Sequence, residues 1–299
     1  MSFYEQISAN RAKTIGLFII FFILLAVLGL IFSYLLGSAL LVMPIFFIFS
    51  ILYLLISYFA GDKIVLAISQ AKEADPAKYQ RFHNIAEEMA IAAGIPKPKL
   101  YVINDTAMNA FATGRDPQHS VVCATTGLLE TMNRDELQGV IAHEMSHIKN
   151  FDIRVMMLTA VLVSFTVLLS DLLLRFVFYG GFRSRNNDSK SGGLFIVLLI
   201  FAVILAILTP IIAQLIRLAI SRSREYLADA SAAEITRYPQ GLASALAKIA
   251  GDKEVLEAAN KATAHLYIAN PLKGQKLWMM SLFSTHPDIN DRIKRLRAM

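Results

Sequence analysis

The chain has 299 residues, of which 56% are hydrophobic and 17% are charged, and its mean hydropathy is +0.52. This composition excludes an ordinary soluble domain of this length and indicates a membrane protein. The net charge of +6 suits contact with anionic lipid headgroups, whereas the lack of a basic stretch with interleaved aromatic residues excludes nucleic-acid binding.

The first two predicted elements are transmembrane helices at residues 14–36 and 39–59, neither of which contains a charged residue. Each run is long enough to cross a bilayer, which takes roughly 20 apolar residues. The first run is longer than the apolar part of a cleaved secretory signal, which spans about 7 to 15 residues. Because only Gly37 and Ser38 separate the runs, we expect a tight transmembrane hairpin over residues 1–60.

Residues 61–154 form a polar block that predicts a helix followed by a small sheet. The helix is expected to start after Asp75 as N-cap, with Pro76 at its first position, and to end at Gly94. Three short strands are predicted next, at residues 99–105, 109–114 and 120–132. The single cysteine, Cys123, lies in the third strand and is predicted to be a buried core thiol, since it has no partner for a disulfide.

A second helix in this block is predicted over residues 133–152 and should cover the sheet. Asn133 and Glu136 have the spacing of a capping box. Five apolar residues then recur at helical spacing, namely Leu137, Val140, Ile141, Met145 and Ile148.

The same helix contains the pattern HExxH. His143 and His147 are four residues apart, so their side chains lie one above the other and can converge on one metal ion, with Glu144 beside them. Zinc takes neutral imidazole ligands with one position left open, and a neighbouring carboxylate can accept a proton from water. The pattern is short and can also arise by chance, so it requires a third protein ligand.

Residues 155–220 predict a second transmembrane pair, with apolar runs at 155–178 and 194–220 and a polar loop at 179–193. Both runs carry charged residues toward their ends, where polar side chains can reach the interface. Four transmembrane helices are therefore expected.

Basic residues next to the spans predict that both polar blocks face the cytoplasm. Three further basic residues in the 179–193 loop weaken this argument. The residues that support it are Arg11, Lys13, Lys63, Lys72, Lys78, Arg217, Arg222 and Arg224.

The second polar block, residues 221–299, supplies a candidate third ligand. Glu225 and Asp229 are four residues apart on one helical face. Such an acidic pair is often only a solvated surface. Here it directly follows the fourth apolar run, just as HExxH directly precedes the third, so packing of those two helices would bring Glu225 to His143 and His147.

Together these motifs resemble the HtpX-type membrane zinc metalloproteases, relatives of the CAAX prenyl proteases. The resemblance covers nearly the whole chain and implies a mainly α membrane protein, with four transmembrane helices and a gluzincin-like α+β metalloprotease domain that contains a small sheet. It rests on four motifs in the same order: NAFATG at 109–114, HExxH at 143–147, ExxxD at 225–229 and STHPDINDR at 284–292.

The resemblance implies roles for the matching residues. His143, His147 and Glu225 would bind Zn²⁺, and Glu144 would be the general base. The aspartate of ExxxD, Asp229, has a supporting or proton-donating role in the family, and its place one helical turn from a ligand favours orientation of a histidine N–H.

Three more residues have open roles. Asp152, five residues after His147, either orients that histidine or lies on the surface at the helix C-terminus. His286 and Arg292 match family positions near the active site, where either could stabilise the oxyanion formed from a peptide carbonyl. Alternatively, His286 begins a helix on which Arg292 pairs with a neighbouring acid.

The NAFATG motif implies an edge strand that pairs with an extended substrate. The residues expected to line this cleft are Asn109, Ala110, Phe111 and Ala112, although strand residues of this kind are more often core.

The first functional hypothesis is an integral-membrane zinc endopeptidase of the cell membrane with its active site in the cytoplasm, acting on misfolded or damaged membrane proteins. One alternative is a prenyl-protein endopeptidase that trims a lipidated C-terminus. The other is a non-catalytic membrane scaffold or chaperone with structural zinc. Structural sites normally have four protein ligands and favour cysteine, whereas three ligands and no cysteine emerge here. The expected partners are a protein or peptide substrate and the lipid bilayer.

Overall fold

The computed structural model describes residues 3–36, 38–175, 222–259, 263–269, 271 and 287–299. This part of the chain is mostly helical and contains one small mixed sheet. The fold class is confirmed to that extent.

The N-terminal part is a pair of long helices, α1 (Phe3–Leu36) and α2 (Ala39–Ile68). Within the described ranges, two segments are long and apolar enough to cross a membrane, Ser8–Val27 and Ala39–Ile68. The helices pack closely, since a Cβ atom at Gly29 of α1 would lie 3.0 Å from Cβ of Phe46. Large apolar side chains point outward from α2, as contact with lipid requires, among them Leu40, Ile45, Phe47, Ile48, Leu52 and Ile56.

The apolar run predicted at 155–178 begins inside helix α6 (Asp152–Arg175). The first part of α6 is buried by the α1–α2 pair rather than exposed. Tyr53 of α2 donates a hydrogen bond to the Val161 carbonyl at 3.1 Å, and Phe21 of α1 makes an edge contact with Phe165. The fourth predicted span, 194–220, and the loop at 179–193 lie outside the described residues, so four transmembrane helices are not confirmed.

The sheet has the order β1-β2-β4-β3 and is built from β1 (Lys72–Glu73), β2 (Lys99–Ile103), β3 (Ala110–Gly114) and β4 (Ser120–Thr125). β2 and β4 are parallel, whereas β3 pairs with β4 in antiparallel register, with Phe111 opposite Cys123. β3 is therefore an edge strand, as expected for the NAFATG segment. Cys123 is fully buried, in agreement with its prediction as a core thiol.

Two local boundaries differ from the sequence predictions. Residues 126–131 do not continue the third strand but form helix α4 (Thr126–Thr131), because the Thr125 side chain accepts a hydrogen bond from the Leu128 N–H and caps the helix. Helix α3 (Gln80–Ala93) starts later than predicted, since Asp75 accepts from the Ala77 N–H in a preceding turn. Its predicted end is right, with Gly94 in the left-handed conformation at φ 70°.

Helix α5 (Arg134–Lys149) lies at the centre of the remaining core. The capping box is present, because the Asn133 side chain accepts from the Glu136 N–H at 2.9 Å while the Glu136 carboxylate accepts from the Asn133 N–H at 2.8 Å. All five apolar residues predicted for its buried face are fully buried. The α5 helix is thus enclosed by the sheet on one side and by other helices on the rest.

Helices pack on α5 to complete this enclosure, namely α3, α7 (Arg222–Thr236) and α8 (Pro239–Gly251), whereas α9 (Ile289–Arg297) packs mainly on α8. The fully buried Ala228 and Ala232 allow α7 to lie close to α5. The α8 helix approaches even closer at Gly139, where a Cβ atom would lie 2.6 Å from the Leu242 backbone nitrogen. This packing places Glu225 and Asp229 of α7 next to the HExxH residues of α5.

Candidate metal centre

The imidazole rings of His143 and His147, both on α5, lie next to each other in the buried interior. The two Nε2 atoms are 3.2 Å apart, and the ring planes are nearly perpendicular. This arrangement follows from the i, i+4 spacing, which aligns the side chains on one helical face. The first two predicted ligands are therefore brought together.

Glu225 on α7 faces the Nε2 atoms of both histidines across the interface between α7 and α5. Its Oε1 lies 3.6 Å from Nε2 of His147, and its Oε2 lies 3.8 Å from Nε2 of His143. Only 2% of Glu225 is exposed. The three residues offer ligand atoms that all lie within 4.8 Å of one another.

These separations fit a tetrahedral metal ion. Imidazole nitrogens bind zinc at about 2.0–2.1 Å, so two of them on one tetrahedral ion would be roughly 3.3 Å apart. The observed Nε2 separation is 3.2 Å. The donor set of two imidazoles and one carboxylate also matches that of catalytic zinc centres with an open position.

Each histidine ring has a carboxylate next to its Nδ1 atom. Nδ1 of His143 lies 3.0 Å from Oδ1 of Asp229, and Nδ1 of His147 lies 3.1 Å from Oδ2 of Asp152. A carboxylate can only accept here, so each Nδ1 carries the proton and each Nε2 is turned toward the centre. Both aspartates thus lie where the orienting role was predicted, and the alternative surface position for Asp152 does not occur.

The two histidines differ in proton affinity. Burial lowers the pKa of His143 and prevails over its hydrogen bond to Asp229. Burial also disfavours the charged form of His147, but the hydrogen bond to Asp152 and the charges of Glu225, Asp152 and Glu144 outweigh it and raise the pKa to about 9. Since metal ligands must be deprotonated, metal binding displaces a proton from this pair.

Glu144 lies in the same buried region with 2% of its surface exposed. Burial raises the pKa of its carboxyl to about 7, the charge of His147 opposes this rise, and the charge of Glu225 adds to it. A hydrogen bond from the Ala112 backbone favours the ionised form. A carboxyl group with this pKa can accept and release a proton near neutral pH.

Arg292 of α9 binds Asp229 next to His143, with its Nη2 3.5 Å from both ring nitrogens of that histidine. Its Nη2 and Nε donate to the two oxygens of Asp229 at 2.7 and 2.8 Å, and its Nη1 donates to the Ile268 carbonyl at 2.9 Å. Arg292 is 1% exposed, and its Nη1 lies 3.5 Å from Oε2 of Glu225. The alternative that Arg292 pairs with an acid on its own helix is therefore wrong, because the acid is on α7.

Strand β3, which is predicted to pair with the substrate, lies next to the centre at Ala112. Ala110 and Ala112 lie in the α5-facing core, whereas Phe111 points to the opposite face and packs against the Tyr267 ring with centroids 5.0 Å apart. The outer side of β3 is partly covered, because the Ile268 N–H donates to the Ala110 carbonyl at 2.9 Å and the Asn109 amide donates to the Ala269 carbonyl at 3.0 Å. His286, the other predicted site residue, lies outside the described residues.

Two residues that contact this centre were not predicted, the partly buried Arg224 and the buried Asn10. Arg224, which the sequence suggested only as a basic residue next to a span, donates to Oδ1 of Asp152 at 2.9 Å. Asn10 of α1 donates to the same oxygen at 2.8 Å. The place of Arg224 directly before Glu225 is a usable signal, whereas nothing in the sequence connects Asn10 to a residue 142 positions away.

Comparison with known families supports a peptidase. The model of "Peptidase family M48" matches residues 76–299. A protein described as "Protease HtpX homolog" from Caldanaerobacter subterraneus subsp. tengcongensis is 47% identical over 296 residues, which is 99% of this chain and 97% of that protein. One with the same description from Streptococcus uberis is 44% identical over 297 residues, covering 99% of each.

Comparison with solved structures gives a likeness in fold. The crystal structure of Ste24p from S. mikatae has a TM-score of 0.51 and a sequence identity of 20%. The match covers 98% of this chain and 67% of that one.

Proposed function

Since the chain belongs to peptidase family M48 and to its HtpX-type proteases, we propose that His143, His147 and Glu225 bind a catalytic zinc ion and that Glu144 is the general base. Membership of this family makes the chain a membrane metalloendopeptidase. The observation that carries the zinc proposal is the convergence of three ligand atoms from two helices within 4.8 Å.

Each residue around the ion has a task in the proposed reaction. Bound zinc would supply a Lewis acid that polarises the scissile carbonyl and acidifies water. The Glu144 carboxylate accepts a proton from the attacking water and returns it to the leaving amine, for which a pKa of about 7 is suitable. Asp229 and Asp152 hold the Nδ1 protons of the two histidines and thereby keep the Nε2 lone pairs directed at the ion.

We assign Arg292 a positioning role. Three of its five N–H groups donate to both oxygens of Asp229 and to a backbone carbonyl, which fixes the guanidinium against the carboxylate that orients His143. For the oxyanion we keep both predicted candidates, His286 and the two remaining N–H groups of Arg292. For substrate binding we propose β3, with Ala112 beside Glu144 and Asn109, Ala110 and Phe111 as the preceding part of the strand.

The zinc proposal is tested with four forms of the full chain purified in detergent: wild type, Glu144→Gln, Glu225→Ala and Glu234→Ala. We expect about one zinc ion per chain in all except Glu225→Ala, because only that variant loses a ligand. Cleavage of an unfolded protein substrate, and self-cleavage on adding zinc, should be lost in Glu144→Gln and Glu225→Ala and stop when a chelator is added. Glu234 is an exposed acid of α7 and serves as the matched control. A fully active Glu144→Gln enzyme would refute the assigned base.

We further propose that the substrates are misfolded or damaged membrane proteins. The metal-binding helix α5 is followed after two residues by α6, which packs on the α1–α2 pair, so the centre lies close to the predicted membrane surface. The alternative substrate is a prenylated protein C-terminus. Parallel assays with a prenylated peptide and an unfolded membrane protein separate the two, and preferential cleavage of the prenylated peptide would reject our proposal.

For the topology we propose four spans in the cell membrane with the centre on the cytoplasmic side. The proposal is supported by the two apolar helices found, by the apolar runs at 155–178 and 194–220, and by the basic residues at the ends of the spans. The chain would then consist of a transmembrane hairpin at residues 1–60 and a second pair of spans at 155–220. The two halves of the protease domain would be residues 61–154 and 221–299.

A further inference from the structure

The start of the first long helix is connected to the metal centre. Asn10 lies on α1, in the first candidate transmembrane segment, yet only 3% of its surface is exposed. It is buried against the junction between α5 and α6, where Asn150 and Asp152 lie. A polar amide buried at such a place must have hydrogen-bond partners, since leaving it unpaired costs stability.

All the polar groups of the Asn10 side chain are used. The two N–H groups of Nδ2 donate to the Asn150 carbonyl at 2.9 Å and to Oδ1 of Asp152 at 2.8 Å. Its Oδ1 accepts from Nη1 of Arg224 at 3.3 Å. The opposite orientation of the amide would place its oxygen against a carbonyl and a carboxylate, so the partners fix which end is nitrogen.

Asn10 and Arg224 converge on the oxygen of Asp152 that does not face the histidine. Arg224 donates to Oδ1 of Asp152 at 2.9 Å, while Oδ2 of the same carboxylate lies 3.1 Å from Nδ1 of His147. One oxygen of Asp152 is thus held by two donors from two distant helices, and the other oxygen holds the histidine. A group that hydrogen-bonds a metal-binding histidine, as Asp152 does, commonly changes metal affinity by about 10- to 100-fold when removed.

We propose that Asn10 is a positioning residue for the metal centre, acting through Asp152 on His147, so that docking of the first helix completes the zinc site. This inference rests on the proposed function, because it requires His147 to be a zinc ligand. It differs from a general packing role, since a residue that acts only through Asp152 has no effect on metal binding once Asp152 is removed.

The test is a double-mutant cycle on the full chain in detergent, with Glu144→Gln in every form to prevent self-cleavage. Zinc affinity is measured by competition with a chelating dye for the parent, Asn10→Ala, Asp152→Ala and the double variant. We expect Asn10→Ala to weaken zinc binding by up to about 10-fold in the parent, because Arg224 still holds Asp152, and by less than about 2-fold in the Asp152→Ala background. Thr14→Val is the matched control, because Thr14 is also buried on α1 but its hydroxyl donates only to the Asn10 carbonyl within the helix.

The outcomes separate the two proposals. Unchanged zinc affinity in Asn10→Ala, or an equal loss with and without Asp152, overturns the positioning role while leaving the zinc site intact. A parent that binds no zinc overturns the proposed function and this inference with it. If Asn10→Ala does not fold, Asn10→Ser removes the amide in a milder way and is measured instead.

Discussion

At the scale of single residues, the centre consists of two histidines, each held by a carboxylate that is itself held by an arginine. Asp229 lies between His143 and Arg292, and Asp152 lies between His147 and Arg224. Burial raises the pKa of each aspartate, but the hydrogen bond to the histidine, followed by the charge and hydrogen bond of the arginine, outweighs burial and lowers that pKa, so both carboxylates stay ionised. Both halves of the centre therefore have the same order of residues, a histidine, an aspartate and an arginine.

The Asp229–Arg292 pair should be strongly coupled. Removing one member leaves a buried ion without its partner, which typically costs about 3–5 kcal/mol of unfolding free energy, whereas removing both leaves neither member of the pair behind. We expect Asp229→Ala and Arg292→Ala each to lower the stability of the chelator-treated protein, and the double variant to lower it by much less than the sum. Unfolding curves in detergent measure this, and additive losses would show that the pair is not coupled.

At the scale of elements, α5 is the helix on which the site depends, and its surroundings show what a sequence can and cannot predict. Its cap, its buried face and the proximity of its two proposed ligands follow from spacings of three and four residues, all within one helix. The proximity of the third proposed ligand, Glu225, was reached only by supposing that two distant helices pack together. The helical ending of the third strand was missed, because Thr125 acts there as an N-cap in a segment whose composition suits a strand.

Asn10 is a clearer example of a residue whose contacts could not be predicted from the sequence. Its role depends on where α1 docks against the α5–α6 junction, and no local spacing encodes that contact. The carboxylates behind the histidines were intermediate cases, since Asp229 and Asp152 lie within a turn or so of a ligand but face inward only because other helices cover them.

The close approach of α8 to α5 gives a prediction for Gly139. A Cβ atom there would lie 2.6 Å from the Leu242 backbone nitrogen, so α8 must move away to admit it. We expect Gly139→Ala to lower the unfolding free energy by about 1–3 kcal/mol, the usual cost of overpacking. Gly251→Ala, at the end of α8, is the control, because no atom lies within 4 Å of its added Cβ. Equal stability of the two variants would contradict the described packing.

At the scale of the whole molecule, the proposed ligands join chain segments that are far apart in sequence. Two come from α5 and one from α7, and the supporting residues come from α1, α6, α7 and α9. An ion bound here would connect the two halves of the proposed protease domain. Metal binding should therefore contribute to global stability as well as to catalysis.

Zinc should raise the melting temperature of the full chain. A ligand that binds only the folded state at 100 times its Kd stabilises that state by about 2.7 kcal/mol. We expect a chelator to lower the melting temperature of Glu144→Gln, which retains all three ligands, and to leave that of Glu225→Ala nearly unchanged. Differential scanning measurements with and without zinc give the comparison, and a similar shift in both forms would place the stabilising ion elsewhere.

The burial of Cys123 in β4 makes it possible to map the membrane topology of the chain by cysteine labelling. Cys123 is the single cysteine of the chain, it is fully buried, and burial raises the pKa of its thiol, so little reactive thiolate is available. The natural protein should therefore stay unlabelled by maleimides that cannot cross a bilayer. Any cysteine placed on an exposed loop then reports alone on which side of the membrane that loop lies, without first replacing the native one.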